Sequence, residues 1–357
     1  MYVVLAIVAF GILIAVHEIG HFTAAKLLGV RVREFAIGMG PKLLKKQGKE
    51  TLYSLRALPF GGFCAMGEDD GDTEDPRAFT AQKRWRRIVI LAAGAAANFI
   101  AAFFVIIALT AGYPAFTGTT ITNIADGFPN EGQDGLMAGD TLVAINGERL
   151  YYRPDFELFM GLAQRRGEKL IDLTISRDGE TIKLSRFPLE RREYMTNGEM
   201  VLRYGISLNS IEATAIEQFK YSCYTAVNYV RLIRVSLAQL ISGAISIRDL
   251  SGPVEIVYTI NDIGQSSKTV GAALINITDF MAFIGVNLAV MNMLPIPALD
   301  GGRILFIFIS WFLEKVIRRR LNPKYEAYIH TAAFVLLMGL MVFVLINDVV
   351  KIIYDKH

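Results

Sequence analysis

Long apolar runs alternate along this chain with segments patterned for strands and turns. Four runs approach the roughly 20 residues that a hydrocarbon core demands. They lie at about Tyr2–Leu28, Ile88–Gly112, Phe280–Leu299 and Tyr328–Ile346. Val3–Val16 holds no polar side chain, and Ile88–Gly112 holds no charge. The pattern predicts a polytopic α-helical membrane protein with about four transmembrane helices. Ile216–Ile247 is also apolar, but Lys220, Arg231 and Arg234 interrupt it. That spacing predicts an amphipathic helix lying on the membrane surface rather than a fifth span.

Between the first two runs, Val32–Met66 holds short apolar pieces broken by Gly38, Gly40, Pro41, Pro59, Gly61 and Gly62. This predicts a β-rich loop at the membrane, followed by a solvated acidic loop over Glu68–Asp75. From Thr119 to about Phe187 the pattern is that of a small inserted domain. An Asn146-Gly147 turn and an Asp178-Gly179 turn each close a hairpin, with a helix expected over Arg153–Arg166. The run Gly135-Leu136-Met137-Ala138-Gly139-Asp140, leading to Ile145-Asn146-Gly147, resembles a PDZ domain of the kind found in bacterial proteases.

The expected order is therefore a first span (1–28), a cytoplasmic-side β-rich loop (29–87) and a second span (88–112). A PDZ-like domain (113–190) and an extracytoplasmic amphipathic helical segment (191–272) follow. A third span (273–302), a cytoplasmic loop (303–327) and a fourth span with its tail (328–357) complete the chain.

Composition supports the membrane reading: 53% of the 357 residues are hydrophobic, above the usual soluble range. The net charge of +3 says less than its distribution. Lys and Arg crowd the segment from Arg31 to Arg87 and the segment from Arg303 to Lys324. The positive-inside rule puts both in the cytoplasm, so both termini and the inserted domain face outward. The first run has no basic start and no small-residue cleavage site, so it reads as a retained span rather than a leader. Cys64 and Cys223 lie far apart, which argues against a disulfide framework or a cysteine metal site. Nothing in the chain points to a nucleic-acid partner.

The candidate chemistry sits at the end of the first apolar run. His17-Glu18-Ile19-Gly20-His21 is an H-E-x-x-H pattern. On a helix, residues four apart share a face, so two imidazoles converge and Glu18 stands beside them. Ionisable groups at membrane depth are costly unless paired or metal-bound. A catalytic zinc takes three protein ligands. The best third candidate is Asp300, in Asn292-Met293-Leu294-Pro295-Ile296-Pro297-Ala298-Leu299-Asp300-Gly301-Gly302. There prolines break the helix and glycines permit tight backbone beside a carboxylate.

H-E-I-G-H in a first span, with N-x-x-P-x-P-x-L-D-G-G in a later one, resembles the site-2 protease family of intramembrane zinc metalloproteases. The similarity is to the bacterial RseP type with a single PDZ domain, and it covers essentially the whole chain. It implies Zn2+ held by His17, His21 and Asp300, with Glu18 as the catalytic carboxylate. It implies substrate-binding roles for Asn292 and Asn287, and for Gly94 and Asn98 of a G-x-x-x-N-F element in which Ala95 replaces a frequent proline. Ser251-Gly252-Pro253-Val254 echoes a further family element. The implied activity is hydrolysis of transmembrane segments of single-spanning membrane proteins within the lipid bilayer of the bacterial plasma membrane. Anti-sigma factors or remnant signal peptides are the expected substrates, usually after a first extracytoplasmic cut. Strand addition along Val32–Met66 is the expected mode of substrate docking. The competing readings are a metal-binding transporter and a catalytically inactive scaffold. H-E-x-x-H spacing and the absence of an inverted repeat speak against the first, and the complete set of four site residues speaks against the second.

Overall fold

The computed structural model describes residues 2–66, 75–196, 199–243, 252–318 and 323–354. The acidic loop expected at Glu68–Asp75 lies outside the described residues except for Asp75, as does Ser251. Two compact units emerge: Met1–Leu109 with Tyr229–His357, and Thr110–Asn228.

Among the described residues, the first unit carries four helices long and apolar enough to cross a membrane. These are α1 (Tyr2–Leu27), α2 (Arg84–Thr110, whose last residue belongs to the other unit), α6 (Val270–Asn292), and the stretch Thr331–Asp348 within α8 (Pro323–Tyr354). α1 and α2 pack closely because Gly20 faces Ala93 and Ala97, where a larger residue would collide. Gly285 of α6 similarly sits against Leu13 and Ala102. Small residues allow such approach where lipid gives helices no hydrophobic reason to associate.

Between α1 and α2 lie β1 (Glu34–Gln47) and β2 (Leu52–Ala65). Each folds back on itself, so two strands supply four sheet segments. Glu34–Ile37 pairs in parallel with Leu52–Leu55 on one side and antiparallel with Gly62–Ala65 on the other. Leu44–Gln47 runs antiparallel to Leu52–Leu55. Gly62–Ala65 is therefore one edge of this sheet. Phe35 and Tyr53 hold the sheet to α1 through the Phe22 ring, at 5.2 and 6.0 Å.

The expected third span differs at its end. α6 stops at Asn292, because Pro295 and Pro297 cannot continue it, and a new helix, α7 (Asp300–Ile317), begins at Asp300. Asp300 thus opens a helix rather than closing the span. α7 occupies most of what was expected as a cytoplasmic loop. Its apolar face explains this: Ile307 is buried with Ala25, Val30, Ile90 and Leu91.

The expected helical segment 191–272 is also corrected. Residues 192–212 form three strands, β8 (Arg192–Thr196), β9 (Glu199–Arg203) and β10 (Ile206–Glu212). α4 (Ala215–Ile241) follows, then α5 (Pro253–Ser266). The later part of α4 does not lie on the surface. Tyr229, Ile233 and Leu237, four apart, make one apolar stripe packed with Ala102, Phe283 and Val286 of two spanning helices. α5 buries Ile260 against Ala6 and Ile277. The buried carboxylate of Asp348 accepts the N–H groups of Gly252 and Glu255, both at 3.1 Å, and so caps α5 from α8.

The second unit holds a sheet ordered β10-β3-β4-β6-β7, with β3 at Ala115–Ile124, β4 at Thr141–Ile145, β6 at Ile171–Arg177 and β7 at Glu180–Phe187. β5 (Glu148–Arg149) pairs with β4, and α3 spans Arg153–Arg165. Asn146 and Gly147 have φ of 49° and 81°, and Asp178 and Gly179 have 53° and 86°. Both turns are thus of the positive-φ kind that closes two-residue hairpins. Arg177 clamps buried Asp140 through two bonds of 2.7 and 2.8 Å and also donates to the carbonyls of Gln133 and Gly135. Tyr194 and Tyr204 join the core of this unit, so it reaches well past residue 190.

Candidate metal centre

α1 presents His17 and His21 on one face, with ring centroids 4.6 Å apart and planes at 90°. The carboxylate Oδ2 of Asp300 lies 3.2 Å from Nε2 of each. The two Nε2 atoms are 3.1 Å apart. Two imidazole nitrogens and one carboxylate oxygen, drawn from residues almost three hundred apart in sequence, therefore point at one locus. Among the described residues this is the one group of three or more such side chains whose ligand atoms lie within 4.8 Å of one another. Nitrogen and oxygen donors, three in number, are what a catalytic zinc takes.

Neighbouring residues fix that geometry. The Nδ1 atom of His21 donates to the carbonyl of Ile90 at 2.8 Å, leaving Nε2 as the free donor of an electron pair. Gly94, one turn further along α2, lies flat against both rings. A Cβ there would sit 2.6 Å from Cε1 of His21 and 2.8 Å from Cε1 of His17. Gly301 and Gly302 lie as tightly under the backbone of Met293–Pro297, which seats the start of α7 and with it Asp300. Ala298 takes φ 80°, a conformation costing a non-glycine residue about 1 kcal/mol, and it lines the site.

The three side chains open into a cavity of about 620 Å3. Glu18 lines it, together with Arg33, Glu34, Ala298, Arg303 and the segment Gly62–Met66. Glu18 also touches the sheet: a Cβ on Gly62 would come within 3.0 Å of its Cγ. Cys64 is in the wall too. Burial, then the nearby Glu18 carboxylate, push its thiol up to about 12. Burial alone would raise Glu34. Hydrogen bonds from Ser54, Lys42 and Arg56 outweigh it and hold the carboxyl at about 2.

The other residues expected at the site divide. Gly94 is in contact with the ligand rings. Asn98, one turn on, is 1% exposed and has no hydrogen-bond partner for either amide atom. Asn287 and Asn292 do not line the cavity; Asn292 ends α6 at the break that leads to Asp300. Arg33, Glu34, Cys64 and Arg303 line it and were not expected at the site; in the sequence Cys64 reads as an ordinary thiol and Arg303 as part of the basic segment. Arg303 carried the one readable signal, because it stands a single helical turn after Asp300.

The profile of peptidase family M50 matches residues 5–340. The chain belongs to peptidase family M50. Similar proteins agree with this along nearly full lengths. A Clostridium acetobutylicum protein named as a zinc metalloprotease is 39% identical over 98% of this chain and 97% of its own. The regulator of sigma-W protease RasP of Bacillus subtilis is 28% identical, covering 98% of each chain. The zinc metalloprotease RasP of Bacillus licheniformis is likewise 28% identical over 98% of this chain and 99% of its own. This M50 peptidase is a zinc-dependent metalloprotease with helices able to cross a membrane.

Proposed function

We propose that the protein hydrolyses peptide bonds within the transmembrane segments of single-spanning membrane proteins. One observation carries this reading. The convergence of His17, His21 and Asp300 lies in a cavity walled on one side by an open strand edge, Gly62–Ala65.

His17, His21 and Asp300 would hold the metal. Bound zinc supplies a Lewis acid that activates water and polarises the scissile carbonyl. Glu18 then takes the proton from the attacking water on its carboxylate and passes it to the leaving amide nitrogen. A helical substrate keeps its carbonyls in its own hydrogen bonds, so it must unwind before cleavage. The free N–H and C=O groups of the Gly62–Ala65 edge offer the unwound stretch new partners by strand addition. Asn292, where α6 breaks, is proposed to hold substrate backbone; Gly94 shapes the ligand face, and the buried Asn98 does not reach the cavity.

Substituting Glu18→Gln tests the assignment. Zinc content should stay, while cleavage of a co-expressed single-spanning substrate stops; retained cleavage would refute the role.

The name of the Bacillus subtilis relative supports an anti-sigma factor as substrate, and a remnant signal peptide fits the same chemistry. The site lies in the plasma membrane with both termini extracytoplasmic, a topology supported by the basic loops. The second unit is read as a PDZ-like domain on the outer side that either docks a freshly exposed C-terminus or excludes untrimmed ectodomains by size.

A further inference from the structure

Behind the cavity wall lies a side-chain strut that the reaction as described does not use. Glu34, Ser54, Arg56 and Phe63 come from three arms of the folded-back sheet, Ser54 and Arg56 sharing one. The Glu34 carboxylate accepts Ser54 Oγ at 2.7 Å, Arg56 Nη2 at 2.9 Å and Lys42 Nζ at 2.9 Å. Arg56 Nη1 donates to the carbonyl of Gly40 at 3.0 Å, in the turn between the halves of β1. The same guanidinium lies over the Phe63 ring, 4.7 Å from its centroid. Phe63 lines the metal cavity and belongs to the open edge, whereas Arg56 does not reach the cavity. Arg56 and Glu34 are both mostly shielded, with side-chain exposures of 19% and 16%.

We infer that Arg56, held by Glu34, is a positioning residue for substrate docking, which sets the edge segment Gly62–Ala65 against the metal site through the face of Phe63. The inference rests on the reading of that edge as the place where unwound substrate binds. The physical case is one of stiffness. Gly62–Ala65 has a backbone partner on one side alone, follows Gly61 and itself starts with a glycine, and would otherwise be free to splay from the cavity. A planar guanidinium can bond a carboxylate, bond a carbonyl and stack on a ring at once; an ammonium cannot. Strand addition needs the edge already in register, so loss of the strut weakens binding of substrate and not the chemistry on it.

The test uses the full-length zinc-loaded protein in lipid nanodiscs with a single-spanning substrate. Arg56→Gln should raise KM about tenfold while kcat and zinc stoichiometry stay unchanged. Phe63→Leu should do the same, and the double variant should be no worse than either single one. Arg56→Lys, which keeps the charge beside Glu34, should still raise KM. An unchanged KM in Arg56→Gln, or additive effects in the double variant, would overturn the inference. So would a fall in kcat accompanied by loss of zinc, the mark of a merely structural residue. A proline placed at an edge N–H that faces the cavity separates this from the parent reading. If that proline leaves cleavage intact, edge docking itself is wrong; if it stops cleavage while Arg56 variants behave as wild type, the strut alone is wrong.

Discussion

A missing methyl group decides whether the metal site can form. Gly94 leaves room for two imidazoles that a Cβ would displace, so Gly94→Ala should lower zinc affinity about 10- to 100-fold. Metal analysis after dialysis against a weak chelator reads this directly. Asp300→Asn keeps the shape and removes the charge; zinc retention should fall and activity with it. Asp140 poses the same kind of question in the other unit. It is 1% exposed and clamped by Arg177, so Asp140→Ala strips that guanidinium of its only counter-charge in the clamp and leaves it the carbonyls of Gln133 and Gly135. Stability of that unit should drop by about 3 kcal/mol, seen as an earlier unfolding transition.

Among the elements, the folded-back sheet carries a carboxyl whose ionisation ties its stability to pH. Glu34 ionises in the folded state near 2 instead of the ordinary 4.5. A carboxyl with a depressed pKa adds stability above its unfolded value and loses it as pH falls through the folded one. The Glu34 contribution is therefore complete above about 4.5 and disappears between there and about 2. The difference in thermal stability between wild type and Glu34→Gln should be largest at neutral pH and should shrink steadily toward pH 3. A constant difference would mean that the network of Ser54, Lys42 and Arg56 does not act through the charge. The elements also show where pattern reading succeeds. The Asn146-Gly147 and Asp178-Gly179 hairpins were legible because positive φ at both central turn residues is a local demand. Strands β8 to β10 were not, because Tyr194 and Tyr204 qualify as core residues only once β10 has paired with β3.

At the scale of the whole molecule, the second unit is built as an insertion whose ends meet. Glu212 of β10 pairs with Ala115 of β3, so the intervening chain can be removed across a short gap. Replacing Ala115–Glu212 by a brief Gly/Ser link should leave zinc binding intact, since every ligand lies in the first unit. If the domain acts as a size filter, the shortened protein should cut substrates that still carry their ectodomains. If it docks peptides instead, trimmed substrates should be lost and intact ones remain uncut. A cleavage assay with both substrate forms decides between the two.

The sequence by itself determined the four long apolar helices and the pairing of His17 with His21. Both follow from local rules, namely the length of a bilayer core and the helical repeat. It also singled out Asp300, through the prolines and glycines around it. The tertiary structure alone decided that Asp300 starts a helix instead of ending one, that α4 packs between spanning helices, and that β1 and β2 each turn back to leave Gly62–Ala65 open beside the cavity. These depend on register and contact between residues far apart in the chain. Such contacts are set by which surfaces fit together, and no local repeat encodes them.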